Sequence, residues 1–268
     1  MISRSLREKF YRAYWEFFEH AEKSRRWTVT EDVPWDRLAE EPRNDKLALC
    51  AETFCGVEMY LPDYIIGNLE AVQGNFGRTW FGANWGYEES KHALALREYL
   101  GRSGHRTQDQ LFDFEEKIFA RRWVRPFEGD RQMSLYAAIQ ERTTFVIYKK
   151  QEKMAAAEGN HVLATIYRLI ARDEMAHTRF YEDMGELHLA EDRAGTLADL
   201  AHVFRNFRMP AADLVPDYDS RVEVMRTAGI DRGVFLQEVL APVLKALKLT
   251  RHDLPRMTPK ADAAEARS

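Results

Sequence analysis

The pattern that most constrains this chain is Glu-x-x-His, which occurs at Glu89–His92 and again at Glu174–His177. Each copy follows a single glutamate. Glu58, in C-G-V-E-M-Y-L, lies 31 residues before the first copy (89 − 58), and Glu141, in I-Q-E-R-T-T-F-V-I, lies 33 residues before the second (174 − 141). Residues three apart on a helix share a face. The pattern therefore predicts two matched halves, each pairing a helix that carries one glutamate with a helix that carries Glu-x-x-His.

The rest of the chain indicates an all-α protein. Apolar residues recur at spacings of three and four, and no alternating run is sustained. Helices are predicted near residues 4–22, 44–60, 62–74, 77–100, 108–121, 131–157, 160–188, 192–207 and 230–247. Gly101, Gly159-Asn160 and Met209-Pro210 are predicted to end helices. We expect one domain over residues 1–250, built on a four-helix bundle with flanking helices, and a disordered tail over 251–268.

Composition narrows the function. The 268 residues carry a net charge of -4, so there is no overall basic excess that would indicate nucleic acid. The two cysteines, Cys50 and Cys55, fit neither a zinc ribbon nor a disulfide framework, which favours a reducing cytoplasm. The N-terminus is typical of an amphipathic helix and not of a signal peptide. No apolar run approaches the length of a membrane span.

Buried carboxylates in such a bundle need a partner. A carboxylate on an apolar helix face costs too much free energy unless it is paired or binds a metal. Four carboxylates and two imidazoles are the donor set of the di-iron carboxylate bundles. Oxygen-rich ligation with some imidazole suits iron or manganese better than zinc or copper. The alternative is a metal-free bundle with buried Glu–Arg pairs, for which Arg142 is the one obvious cation.

Four motifs in order resemble those of the soluble acyl-carrier-protein desaturases of the ferritin-like superfamily. V-E-M-Y-L-P-D-Y is similar to E-x-x-L-P-x-Y, W-G-Y-E-E-S-K-H to W-x-x-E-E-x-R-H, I-Q-E-R-T-T-F to Q-E-R-x-T-F, and A-R-D-E-M-A-H to D-E-x-R-H. Weaker similarity runs from about Trp27 to Leu249. The chain is shorter than the plant pattern, and Lys91 and Ala176 stand where the motifs have arginine. The iron ligands that the resemblance implies are Glu58, Glu89, His92, Glu141, Glu174 and His177.

The resemblance also implies an activity. Members of the family introduce a double bond into a saturated acyl chain on acyl carrier protein, using dioxygen and two electrons, usually from ferredoxin. We therefore expect two iron ions (Fe2+/Fe3+), an acyl-loaded carrier protein, ferredoxin or a similar electron donor, and a homodimer in the cytoplasm. An apolar tunnel past the metals would hold the acyl chain and exclude water.

Two single residues are further candidates. Thr144 shares a helix face with Glu141, and in the resembled family the matching threonine lies beside the oxygen site and is thought to assist proton delivery. Its alternative is a bond to the carbonyl of Gln140, four residues back. Trp27 matches a tryptophan on a surface route toward the irons and is a candidate for electron transfer. Its alternative is simple packing.

An acid precedes the motif acid on both motif helices, Glu88 before Glu89 and Asp173 before Glu174. Successive helical residues point about 100° apart, so neither preceding acid can face the metals as its neighbour does. A metal-bound imidazole needs its other ring nitrogen held, most often by a carboxylate. We expect a crossed arrangement in which Asp173 orients His92 and Glu88 orients His177. Alternatively, these acids face solvent or pair with Arg172 or Lys91.

Basic residues cluster in A-R-R-W-V-R-P and in S-R-S-L-R-E-K-F-Y-R near the N-terminus. Acyl carrier protein is strongly acidic, so a basic patch at a tunnel mouth would attract it. The carrier-binding candidates are Arg121, Arg122 and Arg125. A solvated helix face is the alternative.

Other functions stay open at this point. A related di-iron oxygenase could hydroxylate or N-oxygenate a small or carrier-bound substrate, although arylamine oxygenases have a histidine where this chain has Ile170. A ferritin-like protein could store iron or scavenge peroxide with no organic substrate. The sequence lacks the C-x-x-C module of rubrerythrins.

Overall fold

The structure is a computed structural model that describes residues 3–209, 214–217, 221 and 232–254. These residues form helices and contain no strand, which confirms the predicted all-α class. The helices are α1 (Arg4–His20), α2 (Asp45–Glu58), α3 (Leu61–Val72), α4 (Phe76–Arg102), α5 (Gln108–Phe119), α6 (Gly129–Ala157), α7 (His161–Glu191) and α8 (Arg193–Asn206). A π-helical turn, Ala21–Arg25, continues α1, and a 3-10 helix spans Trp35–Glu40. A C-terminal helical run comprises Arg232–Val234, the π-helical Phe235–Leu240 and Ala241–Ala246.

Polar side chains cap several of these helices as their sequences suggest. Asn44 accepts hydrogen bonds from two backbone N–H groups at the start of α2, and Asn160 accepts one at the start of α7. Gly159 follows α6 with a φ of 77°, as predicted for a terminating glycine. Gly101 does not end α4, which continues to Arg102; the left-handed residue is Gly104, with a φ of 70°.

Some predicted features lie at or beyond the limits of the described residues. Helix α8 ends at Asn206, and Pro210 lies outside the described residues. Of the predicted tail, residues 251–254 form a turn in which the Asp253 carboxylate accepts the Thr250 backbone N–H and pairs with Arg193. Residues 255–268 lie outside the described part of the chain.

Helices α2, α4, α6 and α7 form the core bundle, with α6 and α7 packed side by side along their length. Buried apolar residues make two clusters. One lies on α2, α5, the second half of α4 and the first half of α7, and the other on α1, α8, the first half of α4 and the second half of α7. Along α4 and α7 a layer of buried polar residues separates the two clusters. None of the helices in the described residues is long and apolar enough to cross a bilayer.

Helix α1 crosses α4 at Gly77, where the two backbones almost touch. A Cβ atom on Gly77 would lie 2.6 Å from the backbone of Phe10. Only glycine allows this approach without a shift of backbone. The crossing fixes the direction of α1 and so places the turn Ala21–Arg25 over the polar layer of the bundle.

We predict that Gly77→Ala destabilises the fold, because overpacking against backbone costs about 1–3 kcal/mol and the gain in helix propensity returns only about 1 kcal/mol. Gly101→Ala is the matched control on the same helix, since its Cβ would meet the end of the Gln108 side chain, 3.3 Å away. Urea unfolding checks the pair. Equal midpoints for the two variants would contradict the close crossing.

Candidate metal centre

The polar layer contains the six residues that the two halves of the sequence predict. Glu58 is the last residue of α2, and the others lie in the middle of longer helices: Glu89 and His92 on α4, Glu141 on α6, and Glu174 and His177 on α7. All six side chains are buried. Each Glu-x-x-His pair presents both groups on one helix face because its members are three residues apart.

The donor atoms form two overlapping groups, within each of which one atom per residue lies within 4.8 Å of the others. The first group is Glu58, Glu89, His92 and Glu174, and the second is Glu89, Glu141, Glu174 and His177. Glu89 and Glu174 belong to both, and each group adds one glutamate and one histidine. This geometry fits two adjacent metal ions that share two carboxylates.

Both imidazoles turn Nδ1 toward the carboxylates. The Nδ1 atom of His92 lies 3.4 Å from Glu89 Oε2, and that of His177 lies 2.9 Å from Glu89 Oε1. The Nε2 atoms point outward, 2.8 Å from Glu88 Oε2 for His177 and 3.5 Å from Asp173 Oδ2 for His92. Each outer acid therefore lies against the histidine of the other motif helix, and Nδ1 of each ring is the nitrogen available to a metal.

Four atoms of the cluster are buried and make no hydrogen bond within the described residues: Glu89 Oε1, Glu141 Oε2, and Nδ1 of His92 and His177. His177 Nδ1 and Glu89 Oε1 are only 2.9 Å apart, but they lack hydrogen-bond geometry. A buried polar atom left without a partner costs about 1–3 kcal/mol. All four atoms belong to the predicted donor set and face the interior of the cluster. The residues thus fit a pair of metal ions, which would satisfy all four atoms together.

The pKa values of the crowded carboxylates also indicate that this cluster binds cations. Burial and the neighbouring Glu89 raise the pKa of Glu58 to about 8. Burial and the other three carboxylates raise the pKa of Glu174 well above its usual range. Burial alone would raise the pKa of Glu89, yet the two imidazoles outweigh it and lower that pKa to about 2. Four carboxylates at this distance need added positive charge, which two divalent cations supply.

Besides the two outer acids, three side chains hydrogen-bond to carboxylates of the cluster. The Trp85 indole N–H donates to Glu141 over 3.1 Å, and the Tyr148 hydroxyl donates to Glu58 over 2.5 Å. Sequence reasoning missed both, although Trp85 precedes Glu89 by one helical turn and Tyr148 follows Glu141 by two. The hydroxyl of Thr144 lies 2.7 Å from Glu174 Oε2.

The Thr144 hydroxyl has other acceptors within reach. It lies 2.9 Å from the carbonyl oxygen of Glu141 and 3.2 Å from that of Gln140. A hydroxyl has a single hydrogen, so it donates to one of these acceptors at a time. The geometry thus allows either the backbone bond or a hydrogen bond to Glu174.

Around the two outer acids lies a further layer of side chains, in which sequence reasoning named Trp27 and Lys91 but missed Arg25. Arg25 is 4% exposed, and its Nη1 lies 2.8 Å from Glu88 Oε2 and 2.6 Å from Asp173 Oδ1. Trp27, 3% exposed, donates its indole N–H to Asp173 over 2.7 Å. Lys91 also lies near Asp173, at 3.6 Å. Arg142, the cation that the sequence suggested, donates instead to the carbonyl of Glu238.

A narrow cavity of about 30 Å³ reaches Glu141 from the side of α3, between α4, α6 and α7. Its walls include Tyr64, Trp85, Trp123 and Ala137. Trp123 also lines a surface depression together with Arg125, so it stands between the cavity and solvent. The rings of Tyr64 and Trp123 meet edge to face with centroids 4.9 Å apart.

The three candidate arginines flank this end of the cavity. Arg122, 76% exposed, pairs with Asp63 at 2.8 Å, and the same carboxylate accepts the backbone N–H of Trp123. Arg121 donates to the carbonyl of Leu214, and Arg125 to that of Gly67. These residues therefore form a basic edge beside Trp123.

We predict that the wild-type protein binds two iron ions per chain and that Glu141→Ala loses at least one of them, because that residue supplies a donor atom to the second group. Glu152→Ala, on the same helix but paired with Lys149 away from the cluster, is the control. Metal analysis after anaerobic loading with Fe2+ gives the content. Full iron content in the Glu141 variant would remove this residue from the site.

The sequence of this chain is similar to those of plant desaturases. The chain is 27% identical over 212 residues to the chloroplastic stearoyl-[acyl-carrier-protein] 9-desaturase of Olea europaea, covering 75% of this chain and 54% of the relative. Stearoyl-[acyl-carrier-protein] 9-desaturase 6 of Arabidopsis thaliana is 30% identical over 161 residues, or 56% of this chain and 41% of that one. The chain thus spans about half the length of these plant relatives.

A solved structure has a similar fold. DesA2 of Mycobacterium tuberculosis H37Rv superposes with a TM-score of 0.68 at 19% identity, covering 94% of this chain and all of that one. This similarity confirms the predicted ferritin-like bundle with flanking helices. A family model described as fatty acid desaturase matches residues 58–264, most of the chain and all six residues of the cluster. The chain therefore belongs to the fatty acid desaturase family.

Proposed function

We propose that the protein is a di-iron, dioxygen-dependent desaturase that introduces a double bond into a saturated acyl chain carried on acyl carrier protein. The observation that carries the proposal is the pair of overlapping donor groups with a narrow cavity that ends on Glu141. The names of the plant relatives support the substrate.

Family membership and the buried donor set support two iron ions as the cofactor. Glu58 and His92 would hold one ion and Glu141 and His177 the other, with Glu89 and Glu174 shared. When bound, the iron ions supply dioxygen activation and the oxidising power that removes two hydrogen atoms from adjacent methylene groups. The protein itself would position the acyl chain, exclude water from the site and deliver protons.

The cavity would guide the acyl chain to the site. Its volume, about 30 Å³, is close to that of one water molecule. An acyl chain can enter only if the rings of Tyr64 and Trp123 separate, and these rings then close around it. Aromatic walls at Trp85 and Tyr181 keep bulk water away from the oxidant.

Thr144 is the candidate for proton delivery. Its hydroxyl lies 2.7 Å from Glu174 Oε2, so it can pass a proton toward the centre. Electrons from ferredoxin or a similar donor would enter through Trp27, which contacts Asp173, which in turn contacts His92.

Arg121, Arg122 and Arg125 are the proposed contact for acyl carrier protein, because they flank the Trp123 end of the cavity. An acidic carrier bound there would present its acyl group to the cavity. The homodimer and the cytoplasmic location remain predictions.

The test of the function is mass spectrometry of acyl carrier proteins of several acyl lengths after incubation with enzyme, dioxygen and a ferredoxin reducing system. Desaturation yields a product lighter by two hydrogen atoms. A product heavier by one oxygen atom would replace the proposal with hydroxylation. Iron uptake far beyond two ions per chain, with no change in any acyl chain, would favour storage.

Thr144→Val is predicted to keep the iron and to slow turnover or release peroxide, because it preserves shape but removes the hydroxyl at Glu174. Thr143→Val is the control, since Thr143 donates to the carbonyl of Ile139 on the same helix. Iron content, turnover and peroxide are measured together. Identical values for the two variants would leave Thr144 with its backbone bond alone.

Carrier binding is predicted to weaken as salt rises and to weaken further in Arg121→Glu/Arg122→Glu, because exposed charges are screened beyond about 10 Å at 0.1 M salt. Lys46→Glu/Lys153→Glu, at two exposed sites near the opposite end of α6, is the matched charge control. Affinity for acyl-loaded carrier protein is measured over a salt series. Binding that ignores both salt and the arginine reversal would place the carrier elsewhere.

A further inference from the structure

Three consecutive residues, Arg25, Arg26 and Trp27, contact the two acids that hold the histidines. They follow directly from α1, at the end of the π-helical turn Ala21–Arg25. Arg26 Nη1 lies 2.6 Å from Glu88 Oε1, and the Trp27 indole N–H lies 2.7 Å from Asp173 Oδ2. Of the two outer acids, Arg26 thus contacts only Glu88, which holds His177, and Trp27 contacts only Asp173, which holds His92.

Arg25 contacts both acids. Its Nη1 reaches Glu88 Oε2, the oxygen that also meets His177 Nε2, and it reaches Asp173 Oδ1 as well. Its Nη2 donates to Glu88 Oε1 over 2.9 Å. One buried guanidinium therefore joins the outer partners of both histidines, which lie on two different helices.

Local contacts hold this guanidinium in place. Its plane lies over the Phe17 ring, 4.8 Å from the centroid, and the backbone carbonyl of Arg25 accepts a hydrogen bond from Arg172 on α7. Asp173 is 0% exposed and Glu88 is 1% exposed. Two carboxylates so deeply buried would carry uncompensated charge without a cation.

We propose that residues 25–27 form a clip that positions both metal-binding histidines at once, with Arg25 as the shared member. By fixing Glu88 and Asp173, the clip keeps Nε2 of each imidazole occupied and leaves Nδ1 free for a metal. Arg26 serves only the His177 half, and Trp27 only the His92 half. The inference rests on the two-metal centre of the proposed function and is independent of the acyl substrate.

The clip predicts a specific pattern of metal affinities. Anaerobic Fe2+ titration of apo-protein, followed by calorimetry, resolves the two binding steps. Arg25→Met should weaken both steps about 10- to 100-fold, the range typical of groups that hold a metal ligand. Arg26→Met and Trp27→Phe should each weaken one step.

The matched control is Arg78→Met. Arg78 is also 4% exposed and also bound to a carboxylate, Asp130, but it contacts neither outer acid. If Arg25 acted only through general stability, the two methionine variants would lower Fe2+ affinity alike. Arg25→Lys keeps the charge but loses the planar fork, and it should bind iron between wild type and Arg25→Met. If Arg25→Met fails to fold, the Fe2+ affinity of Arg25→Lys provides the test instead.

Double-mutant cycles assign each half. Arg26→Met should lower Fe2+ affinity little further when Glu88→Gln is already present, but by its full amount when combined with Asp173→Asn. Trp27→Phe should add little to Asp173→Asn and its full effect to Glu88→Gln. The clip is overturned if Arg25→Met or Arg25→Lys leaves both steps unchanged, if Arg78→Met matches Arg25→Met, or if the cycles show no such partition. Two tight Fe2+ sites without any desaturation would refute the proposed activity and leave the clip standing.

Discussion

Four carboxylates buried side by side in a helical core are the constraint on which the rest of this structure depends. Such a cluster is unstable without positive charge, and the pKa values of its carboxylates are shifted in opposite directions according to their neighbours. Burial raises the pKa of Glu58 to about 8, whereas the imidazoles lower that of Glu89 to about 2. The fold meets this cost by separating two apolar clusters with one polar layer. The apolar clusters stabilise the helices, and the helices then hold the donors where metal ions can bind.

The charge balance extends outward in a second layer. Two further acids, Glu88 and Asp173, hold the outer nitrogens of the histidines, and Arg25 balances both acids. The helix α1 is therefore more than a flanking element. Its close crossing of α4 at Gly77 fixes the turn that carries Arg25, so a backbone contact far along the chain helps to set the geometry of the centre.

The narrow cavity meets the cluster on one side, at Glu141. It reaches Glu141 between aromatic residues of α3, α4 and α7, and Trp123 lies between the cavity and the surface depression that Arg125 lines. The opposite side, at Glu58, is filled by Tyr148 and Phe54, whose rings pack with centroids 5.4 Å apart. The cavity therefore lies on the side of the donor group that contains Glu141 and His177.

The sequence by itself determined the class of fold and the order of the helices, and it predicted the six residues of the buried cluster, because helical periodicity and the Glu-x-x-His spacing are local properties of the chain. It also indicated the crossed acids, since a repeat of acid before acid on both motif helices is visible in one dimension. The sequence also offered Lys91 as a cation for them, and it lies 3.6 Å from Asp173, but only the tertiary structure showed that Arg25 contacts both acids. Arg25 lies 63 residues from Glu88 and 148 from Asp173, and no periodicity links such positions. Tyr148, Trp85 and the cavity likewise depend on which faces of separate helices meet, which is settled by packing and not by spacing.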